Sequence, residues 1–547
     1  MCNYIIFKIK KEREGKIMIA RKKSKIMVLI LTLTLLLSMG GVANAAEPRN
    51  IEEGSTATIV VDGVENSGTV TAYKVINVNF DTTNQQPQDP VYTWDANVAE
   101  WLRGHDTYKS YVEKNGNGVT TDFTGASDIE QFVDDLANAI KSGRVSVGIS
   151  KEKTWSDNTD GSYEFEGMGM GAYLILVTGG VDIYSPAFTN VYPSFDTDGW
   201  KLDAPVVNVS PKSETPGLVK DVDDPTVAIG DTVKYTVTIT VPQYPNNALD
   251  KRFAFGDRLP QGLSFVDGSV KIYAGSEGGK VITDCFSKTA SLAEGVTFEY
   301  YADTYDELIE ANEGLETIVV TYNATVNNTA YQHKDGMENT AYLEYDNGPY
   351  DLGGYRTIED KEKVYTYALQ ITKTGDNSKT LEGAEFTLTG TTAMRFVEES
   401  SGIYHVAAQD EANTDVAVDR VVSNSEGIIQ IKGLDVGTYT LKEVKAPDGY
   451  TLPSNPNTTI TLSEGETPDG KLDSIEADGV LVTDDSVRVD GTDDNQGNVG
   501  ISNSTSDFGL PQTGGIGTVI FTVAGILIMS GAVILLVTAS KKKSNHK

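Results

Sequence analysis

Apolar and polar residues alternate along many short segments of this 547-residue chain. In the clearest segment one face is apolar and the other is made of Lys and Thr. The apolar positions are Val233, Tyr235, Val237, Ile239 and Val241. A period of two residues predicts β-strands with one buried face. Residues 318–326 repeat the pattern, and Gly, Asn and Asp interrupt it throughout. The sequence therefore predicts an all-β fold of antiparallel β-sandwich domains.

Short helices are expected in the first part of the chain. Ser127 and Glu130 form a capping-box pattern at the start of one helix, and Gly143 is placed to end it. The apolar face of that helix would consist of Ile129, Phe132, Val133, Leu136 and Ile140. A shorter helix is predicted near residues 96–102.

The N-terminus has the pattern of a Sec signal peptide. Basic residues at positions 21–25 precede an apolar run at 26–37, and Ala43-Asn44-Ala45 provides a small-residue cleavage site. A membrane anchor is the alternative, but the apolar run is short for a bilayer span. Residues 1–45 are therefore expected to be removed, whether translation starts at Met1 or at Met18.

The C-terminal residues 510–547 combine three features. The pentapeptide Leu510-Pro511-Gln512-Thr513-Gly514 comes first, apolar residues 516–539 follow, and lysines end the chain. The apolar segment is long enough to cross a bilayer as a helix, with the lysines on the cytoplasmic side. The combination resembles an LPxTG cell-wall sorting signal, in which a sortase cuts between Thr513 and Gly514. The resemblance implies a secreted protein that is anchored to the cell wall.

Charge and cysteine content restrict the partners and the means of stabilisation. The formal net charge is −33, and the two ends expected to be removed are basic, so the mature chain is more acidic still. An acidic surface argues against nucleic acid as a partner. Cys2 lies in the signal peptide and leaves Cys285 alone, so no internal disulfide can form. An extracellular chain of this kind needs another form of stabilisation.

Two shifts in composition, at residues 210–217 and 359–363, divide the mature chain. They predict a first domain at 46–213, a middle domain at 214–362 and a third domain at 363–509.

In the middle and third domains, one Lys, one acid and one Asn fall on strand faces that are otherwise apolar. The middle set is Lys220, Asp257 and Asn339, and the third-domain set is Lys373, Glu443 and Asn503. Burying an unpaired charge is very costly, so the members of each set would have to compensate one another. Solvent-facing strand edges, or plain buried ion pairs, are the simpler interpretations.

A reaction between the three groups is the more specific hypothesis. Desolvation lowers the pKa of a lysine and raises that of an acid. A neutral amine could then attack the Asn carboxamide while the protonated acid polarises its carbonyl. Ammonia would leave, and a Lys–Asn isopeptide bond would take the place of a disulfide.

Two segments resemble domains of Gram-positive pilins. Tyr439-Thr-Leu-Lys-Glu443, with Ala446-Pro447-Asp-Gly449-Tyr450, is similar to the E-box of prealbumin-like (collagen-adhesin B-type) domains. The stretch from Lys220 to Tyr235, with Gly256-Asp257 and Asn339-Thr-Ala341, is similar to the middle, isopeptide-forming domain of the same pilins. The resemblance implies Ig-like and prealbumin-like sandwiches. It also implies one bond between Lys373 and Asn503, with Glu443 as catalytic acid, and one between Lys220 and Asn339, with Asp257 as catalytic acid.

The first domain offers a weaker candidate set. Lys74 lies in a strand-like segment whose two faces are both apolar. Asn190 and Asn208 are candidate partners, and Glu164 and Glu166 are candidate acids. Whether a bond forms there stays open.

A pilus shaft needs an acceptor lysine in addition to the sorting signal. In the pilin family this lysine belongs to a Tyr-Pro-Lys-Asn motif at the end of the first domain. Residues 207–213 match best and place Lys212 in that role, although Ser210 and Ser213 depart from the motif. Lys201 is the alternative, and an ordinary exposed linker lysine is the simplest interpretation of Lys212.

The family resemblance favours a structural backbone subunit that supports adhesion, and no enzyme motif argues otherwise. The mature chain has His105, His333 and His405 in unrelated contexts, so no metal or cofactor is expected. Expected partners are a class C pilin sortase, a housekeeping sortase, further copies of the chain, minor pilins and peptidoglycan. Host extracellular matrix and glycans stay open as ligands. A wall-anchored monomeric adhesin or a minor pilin is the alternative function.

Overall fold

The computed structural model describes residues 49–65, 67–127, 129–155, 162–196, 199–202, 204–478, 480–482 and 495–505. β-Strands dominate these residues, so the predicted all-β class is confirmed. The predicted signal peptide, the LPxTG pentapeptide and the apolar segment after it lie outside the described residues. Within the described ranges, no helix is long and apolar enough to cross a membrane.

The first part of the chain forms several small sheets. Its strands are β1 (Arg49–Asn50), β2 (Thr56–Val61), β3 (Thr69–Asp81), β4 (Gln86–Trp94), β5 (Ile149–Thr154), β6 (Tyr163–Gly169), β7 (Gly171–Thr178), β8 (Ile183–Tyr184), β9 (Ala187–Val191), β10 (Pro193–Asp196), β11 (Gly199–Leu202), β12 (Val206–Val209) and β13 (Ser213–Glu214). The central sheet has the order β4-β3-β7-β9, with β5 also paired to β3. Its two faces are both covered, because apolar residues of β3 alternate between two separate clusters. This explains why β3 is apolar on both sides.

Helices cover one face of that sheet. They are α1 (Ala96–Gly104), α2 (Thr121–Thr124) and α3 (Ile129–Lys141). The sequence predicted α1 and α3 but not the single-turn helix α2. Phe132, Val133, Leu136 and Ile140 of α3 are buried, as its amphipathic pattern predicts. Gly143 follows with φ +76°, a backbone conformation that favours glycine and ends the helix.

The middle part is a sandwich of two five-stranded sheets. Its strands are β14 (Gly217–Val222), β15 (Thr232–Thr240), β16 (Phe253–Arg258), β17 (Leu263–Phe265), β18 (Lys271–Ala274), β19 (Ser287–Lys288), β20 (Phe298–Tyr301), β21 (Thr317–Val326), β22 (Met337–Asp346) and β23 (Tyr355–Val364), with helix α4 (Tyr305–Ala311). One sheet has the order β14-β15-β21-β17, with β18 also on β21, and the other has the order β19-β20-β16-β22-β23. Alternate residues of β15 and β21 fill the core between them.

The third part is a sandwich of two six-stranded sheets. Its strands are β24 (Tyr367–Thr374), β25 (Glu385–Thr389), β26 (Phe396–Ser400), β27 (Ile403–Val406), β28 (Ala417–Val418), β29 (Val421–Val422), β30 (Ile428–Leu434), β31 (Gly437–Lys445), β32 (Asn457–Glu464), β33 (Leu472–Ala477), β34 (Val480–Val482) and β35 (Gln496–Ser502). The orders are β28-β26-β27-β30-β24-β35 and β29-β25-β31-β32-β33-β34. The first strand, β24, therefore pairs with the last, β35, and does so in parallel.

Candidate cross-linking sites and the acceptor lysine

The middle sandwich brings Lys220, Asp257 and Asn339 together between its two sheets. Lys220 is on β14, at the edge of one sheet, and its side chain points inward. Asp257 and Asn339 are on β16 and β22, which are neighbours in the opposite sheet. Asp257 pairs with Ala341, so Asn339 lies on the same inward face one step along β22. All three side chains are at most 1% exposed.

A shared tyrosine hydroxyl links these three groups. Lys220 Nζ lies 2.5 Å from Asp257 Oδ2. The hydroxyl of Tyr322, on β21, donates to the same Oδ2 atom at 2.5 Å and also contacts Lys220 Nζ. Asn339 Nδ2 donates to the Tyr322 hydroxyl at 2.9 Å. Asp257 Oδ1 and Asn339 Oδ1 form no hydrogen bond with any described residue.

Burial is the main electrostatic influence in this site. It lowers the pKa of Lys220 and raises the pKa of Asp257, and their mutual attraction opposes both shifts. The rings of Tyr235 and Tyr322 lie 4.6 Å and 5.1 Å from the amine and help to enclose it. Both pKa shifts favour a neutral amine beside a protonated acid, which is the state required for attack on an amide.

The third sandwich brings Lys373, Glu443 and Asn503 together by a different route. Lys373 on β24 pairs with Ile501 on β35, and Asn503 follows β35 directly. The lysine and the amide are therefore side by side at one sheet, whereas Glu443 reaches them from β31 in the opposite sheet. Lys373 is 0% exposed, Glu443 2% and Asn503 5%.

In this site one carboxyl group lies close to the side-chain nitrogen atoms of both Lys373 and Asn503. Lys373 Nζ contacts Asn503 Oδ1 directly and lies 3.5 Å from Glu443 Oε2. Asn503 Nδ2 donates to Glu443 Oε1 at 2.7 Å. Burial lowers the pKa of Lys373 and raises the pKa of Glu443, against the attraction between the two groups. As in the middle site, the shifts favour an amine that can attack and an acid that can donate.

The first part of the chain does not assemble such a set around Lys74. The Lys74 side chain lies against Gly169 and Gly171, and a Cβ on Gly171 would come within 2.5 Å of its Cε atom. Glu164 and Glu166 are exposed on β6, which buries its other face. Asn208 is exposed on β12, whose other face is half-buried. Asn190 alternates with Thr189 and Val191 and so faces away from their buried side. Burial lowers the pKa of Lys74 without an opposing charge among the described residues.

The two candidate acceptor lysines differ in exposure. Lys212 lies between β12 and β13, and 44% of its side chain is exposed. Its Nζ lies 2.6 Å from Oε1 of Glu130, in the first turn of α3. Lys201 is partly buried on β11, between Asn50 of β1 and Ser194 of β10. Lys212 is therefore the more exposed of the two residues.

Tyr322 was not predicted from the sequence. It alternates with Ile318, Val320 and Ala324 on β21, where it is indistinguishable from an ordinary core aromatic. The available signal was general: a buried tyrosine hydroxyl needs a hydrogen-bond partner. The sequence could not show that those partners are the three residues of the site.

Three family models match separate parts of the chain. The prealbumin-like fold domain matches residues 367–474, the cell surface antigen I/II C2 terminal domain matches 210–351, and the LPXTG cell wall anchor motif matches 502–546. These ranges correspond to the third sandwich, the middle sandwich and the C-terminal sorting signal.

Curated relatives cover most of the chain. The trypsin-resistant surface T6 protein of Streptococcus pyogenes serotype M6 is 23% identical over 570 residues, which span 90% of this chain and 96% of the relative. The fimbrial subunit type 1 of Actinomyces viscosus is 25% identical over 475 residues, which span 78% and 83% respectively. The solved T6 backbone pilin of S. pyogenes, described as a modular three-domain structure, superposes with a TM-score of 0.54 at 19% identity, over 84% of this chain and 99% of that one. The last comparison establishes a shared fold.

Tandem β-sandwiches with a prealbumin-like domain and an LPXTG anchor define a class of secreted, cell-wall-anchored surface proteins. Within this class the chain is similar over most of its length to a streptococcal surface protein and to an Actinomyces fimbrial subunit, and it shares the fold of a solved backbone pilin.

Proposed function

We propose that this subunit builds a pilus shaft through a bond from Thr513 of one copy to Lys212 of the next. A sortase would hold Thr513 as a thioester on its own cysteine, and the Lys212 amine would attack it. The new bond joins Lys212 Nζ to the Thr513 carbonyl carbon, and the sortase thiol leaves. Repetition gives an open head-to-tail fibre. A class C pilin sortase would polymerise the shaft, and a housekeeping sortase would attach it to peptidoglycan, with minor pilins as further partners.

We also propose one internal isopeptide bond in each of two domains, residues 214–362 and 363–509. The observation that carries this is the pair of buried Lys, acid and Asn sets. In each, the lysine nitrogen attacks the Asn side-chain carbonyl carbon, loses one proton, and the Asn nitrogen departs as ammonia. The first domain, residues 46–213, would have no bond through Lys74, because the candidate amides and acids do not share its face.

The two bonds would suit a fibre under tension. Force would enter the subunit at Lys212 and leave at Thr513. A bond from Lys220 to Asn339 would carry that force between β14 and β22, so that the residues between them could not be drawn out. The bond from Lys373 to Asn503 would do the same across the third sandwich. A chain with no internal disulfide would thereby gain equivalent covalent restraint.

The test is the size distribution of this protein in cell-wall extracts. Ladders that are stable in boiling detergent are expected with the pilin sortase present, and anchored monomer alone when only the housekeeping sortase remains. Monomer alone in both strains would overturn the shaft assignment in favour of a monomeric adhesin or minor pilin.

A further inference from the structure

Tyr322 is the described residue whose hydroxyl touches all three groups of the middle site. It donates to Asp257 Oδ2, accepts from Asn339 Nδ2 and contacts Lys220 Nζ. A hydroxyl group has one proton to donate and two lone pairs to accept with. The Tyr322 hydroxyl therefore uses its one donor position and both of its acceptor positions within the site.

The acid of the middle site does not hydrogen-bond to the amide that must react. Asn339 Nδ2 hydrogen-bonds to the Tyr322 hydroxyl, and Asn339 Oδ1 has no hydrogen-bond partner among the described residues. The nitrogen of an amide leaves only after it gains a proton. The group placed to deliver that proton is the Tyr322 hydroxyl, at 2.9 Å.

The third domain provides an internal contrast. There Glu443 contacts the leaving nitrogen of Asn503 at 2.7 Å and the amine of Lys373 at 3.5 Å. No tyrosine hydroxyl of the described residues hydrogen-bonds to any of these three groups. Glutamate is one methylene longer than aspartate, so its carboxyl group can reach both nitrogen atoms unaided. In the middle domain the Tyr322 hydroxyl lies between Asp257 and Asn339 and hydrogen-bonds to both.

We infer that Tyr322 is a fourth catalytic residue of the middle domain and relays a proton from Lys220 to the departing nitrogen of Asn339. This inference rests on the proposed bond between those two residues. As the Nζ–C bond forms, Nζ gives one proton to the Tyr322 oxygen. The Tyr322 O–H turns from Asp257 to Nδ2 and gives up its own proton, the C–Nδ2 bond breaks, and ammonia leaves. Tyr322 ends as a neutral phenol, as it began. Asp257 remains beside the Lys220 nitrogen throughout.

A proton relay through Tyr322 requires that its hydroxyl be protonated at neutral pH, and burial favours that state. The pKa of Tyr322 is raised well above its usual value, chiefly by burial and then by the nearby Asp257 carboxyl. The phenol therefore keeps its proton over the whole physiological range.

The experiment follows both bonds in the same molecule. Residues 46–509 are made by cell-free synthesis and quenched in acid at intervals, and peptides joined at Lys220–Asn339 and at Lys373–Asn503 are quantified by mass spectrometry. In Tyr322→Phe the first bond should form more slowly by about 100-fold or more, the lower end of what a positioned proton donor contributes. The second bond should form at its normal rate. Tyr342→Phe is the matched control, because this hydroxyl lies on the strand of Asn339 but bonds to Glu299, outside the site.

The outcomes separate the relay from the bond itself. If the unsubstituted chain never forms the Lys220–Asn339 bond, the proposed cross-link is wrong and the relay with it. If Tyr322→Phe forms that bond at the normal rate, or if Tyr342→Phe slows it equally, only the relay is overturned. Should Tyr322→Phe not fold, synthesis with 3-fluorotyrosine decides, because fluorine makes the phenol more acidic without removing it. A changed rate in the middle domain alone supports the relay, and an unchanged ratio of the two rates overturns it.

Discussion

The amide nitrogen of Asn503 lies 2.7 Å from Oε1 of Glu443, although the two residues belong to opposite sheets of the third sandwich. Lys373 Nζ contacts the oxygen atom of the same amide, Asn503 Oδ1. The acid, the amine and the amide are thus in mutual contact in a core that excludes water. The predictions below test what this arrangement, its counterpart in the middle domain and the neighbouring groups do.

The mature chain should lack two molecules of ammonia. Intact-mass measurement of purified residues 46–509 tests this, and peptide mapping should join Lys220 to Asn339 and Lys373 to Asn503. An unmodified mass would rule out both bonds. A third missing ammonia would show that the first domain reacts after all, through groups other than those considered around Lys74.

Replacing Glu443 with Ala should leave the third domain folded but without its bond, because the acid that protonates the leaving nitrogen is gone. Lys373 and Asn503 are 130 residues apart. Losing a cross-link around a loop of that size costs about 4 to 5 kcal/mol in the chain-entropy model. The domain should melt about 10 °C lower or more and become sensitive to trypsin. Glu426→Ala, at an exposed turn, is the control and should change neither property.

Replacing Lys212 with Ala should abolish high-mass ladders and leave anchored monomer, because Thr513 is intact and only its acceptor is missing. Lys212→Arg should not rescue polymerisation, since a guanidinium group stays protonated and cannot attack. Changing Thr513 should remove the polymer and the normal wall attachment together. Immunoblots of cell-wall and medium fractions measure the amount of polymer and the amount of protein attached to the wall. Ladders that survive in Lys212→Ala but disappear on changing Lys201 would transfer the acceptor role to Lys201.

Asp346 should make the middle domain less stable as pH rises. It is 0% exposed, and its Oδ2 atom has no hydrogen-bond partner among the described residues. Burial raises its pKa from 3.8 to about 7. The folded state therefore holds a proton that the unfolded state releases at lower pH. The resulting stability is complete below about pH 3.8 and is lost as pH rises toward 7, by up to about 4 kcal/mol.

Asp346→Asn should remove this dependence, because the amide is neutral at every pH. The variant should melt higher than the parent chain at pH 8, and the difference should shrink toward pH 4. Calorimetry at both values measures it, with the exposed Asp335→Asn as control. A parent chain whose middle-domain melting temperature does not change between these pH values would contradict the prediction.

Much of the sequence-based prediction of the fold and of the two lysine sites rested on strand periodicity. Two-residue alternation along single strands marked Lys220 and Lys373 as inward-pointing lysines, and the structure buries both. Such alternation is a local property, so one strand suffices to see it. Lys74 shows its limit. A lysine in an apolar strand looks equivalent in sequence, yet Glu164 and Asn208 lie on strands of a different sheet and are exposed.

The sequence by itself determined the all-β class, the helix at Ile129–Lys141 and the LPXTG anchor, because each depends on residues close together along the chain. Only the tertiary structure decided which groups meet. Asp257 comes beside Asn339 through the register of β16 on β22, and Tyr322 enters the same site from the opposite sheet. Contacts of this kind join residues far apart in sequence, so they depend on strand pairing and sheet packing rather than on any local pattern.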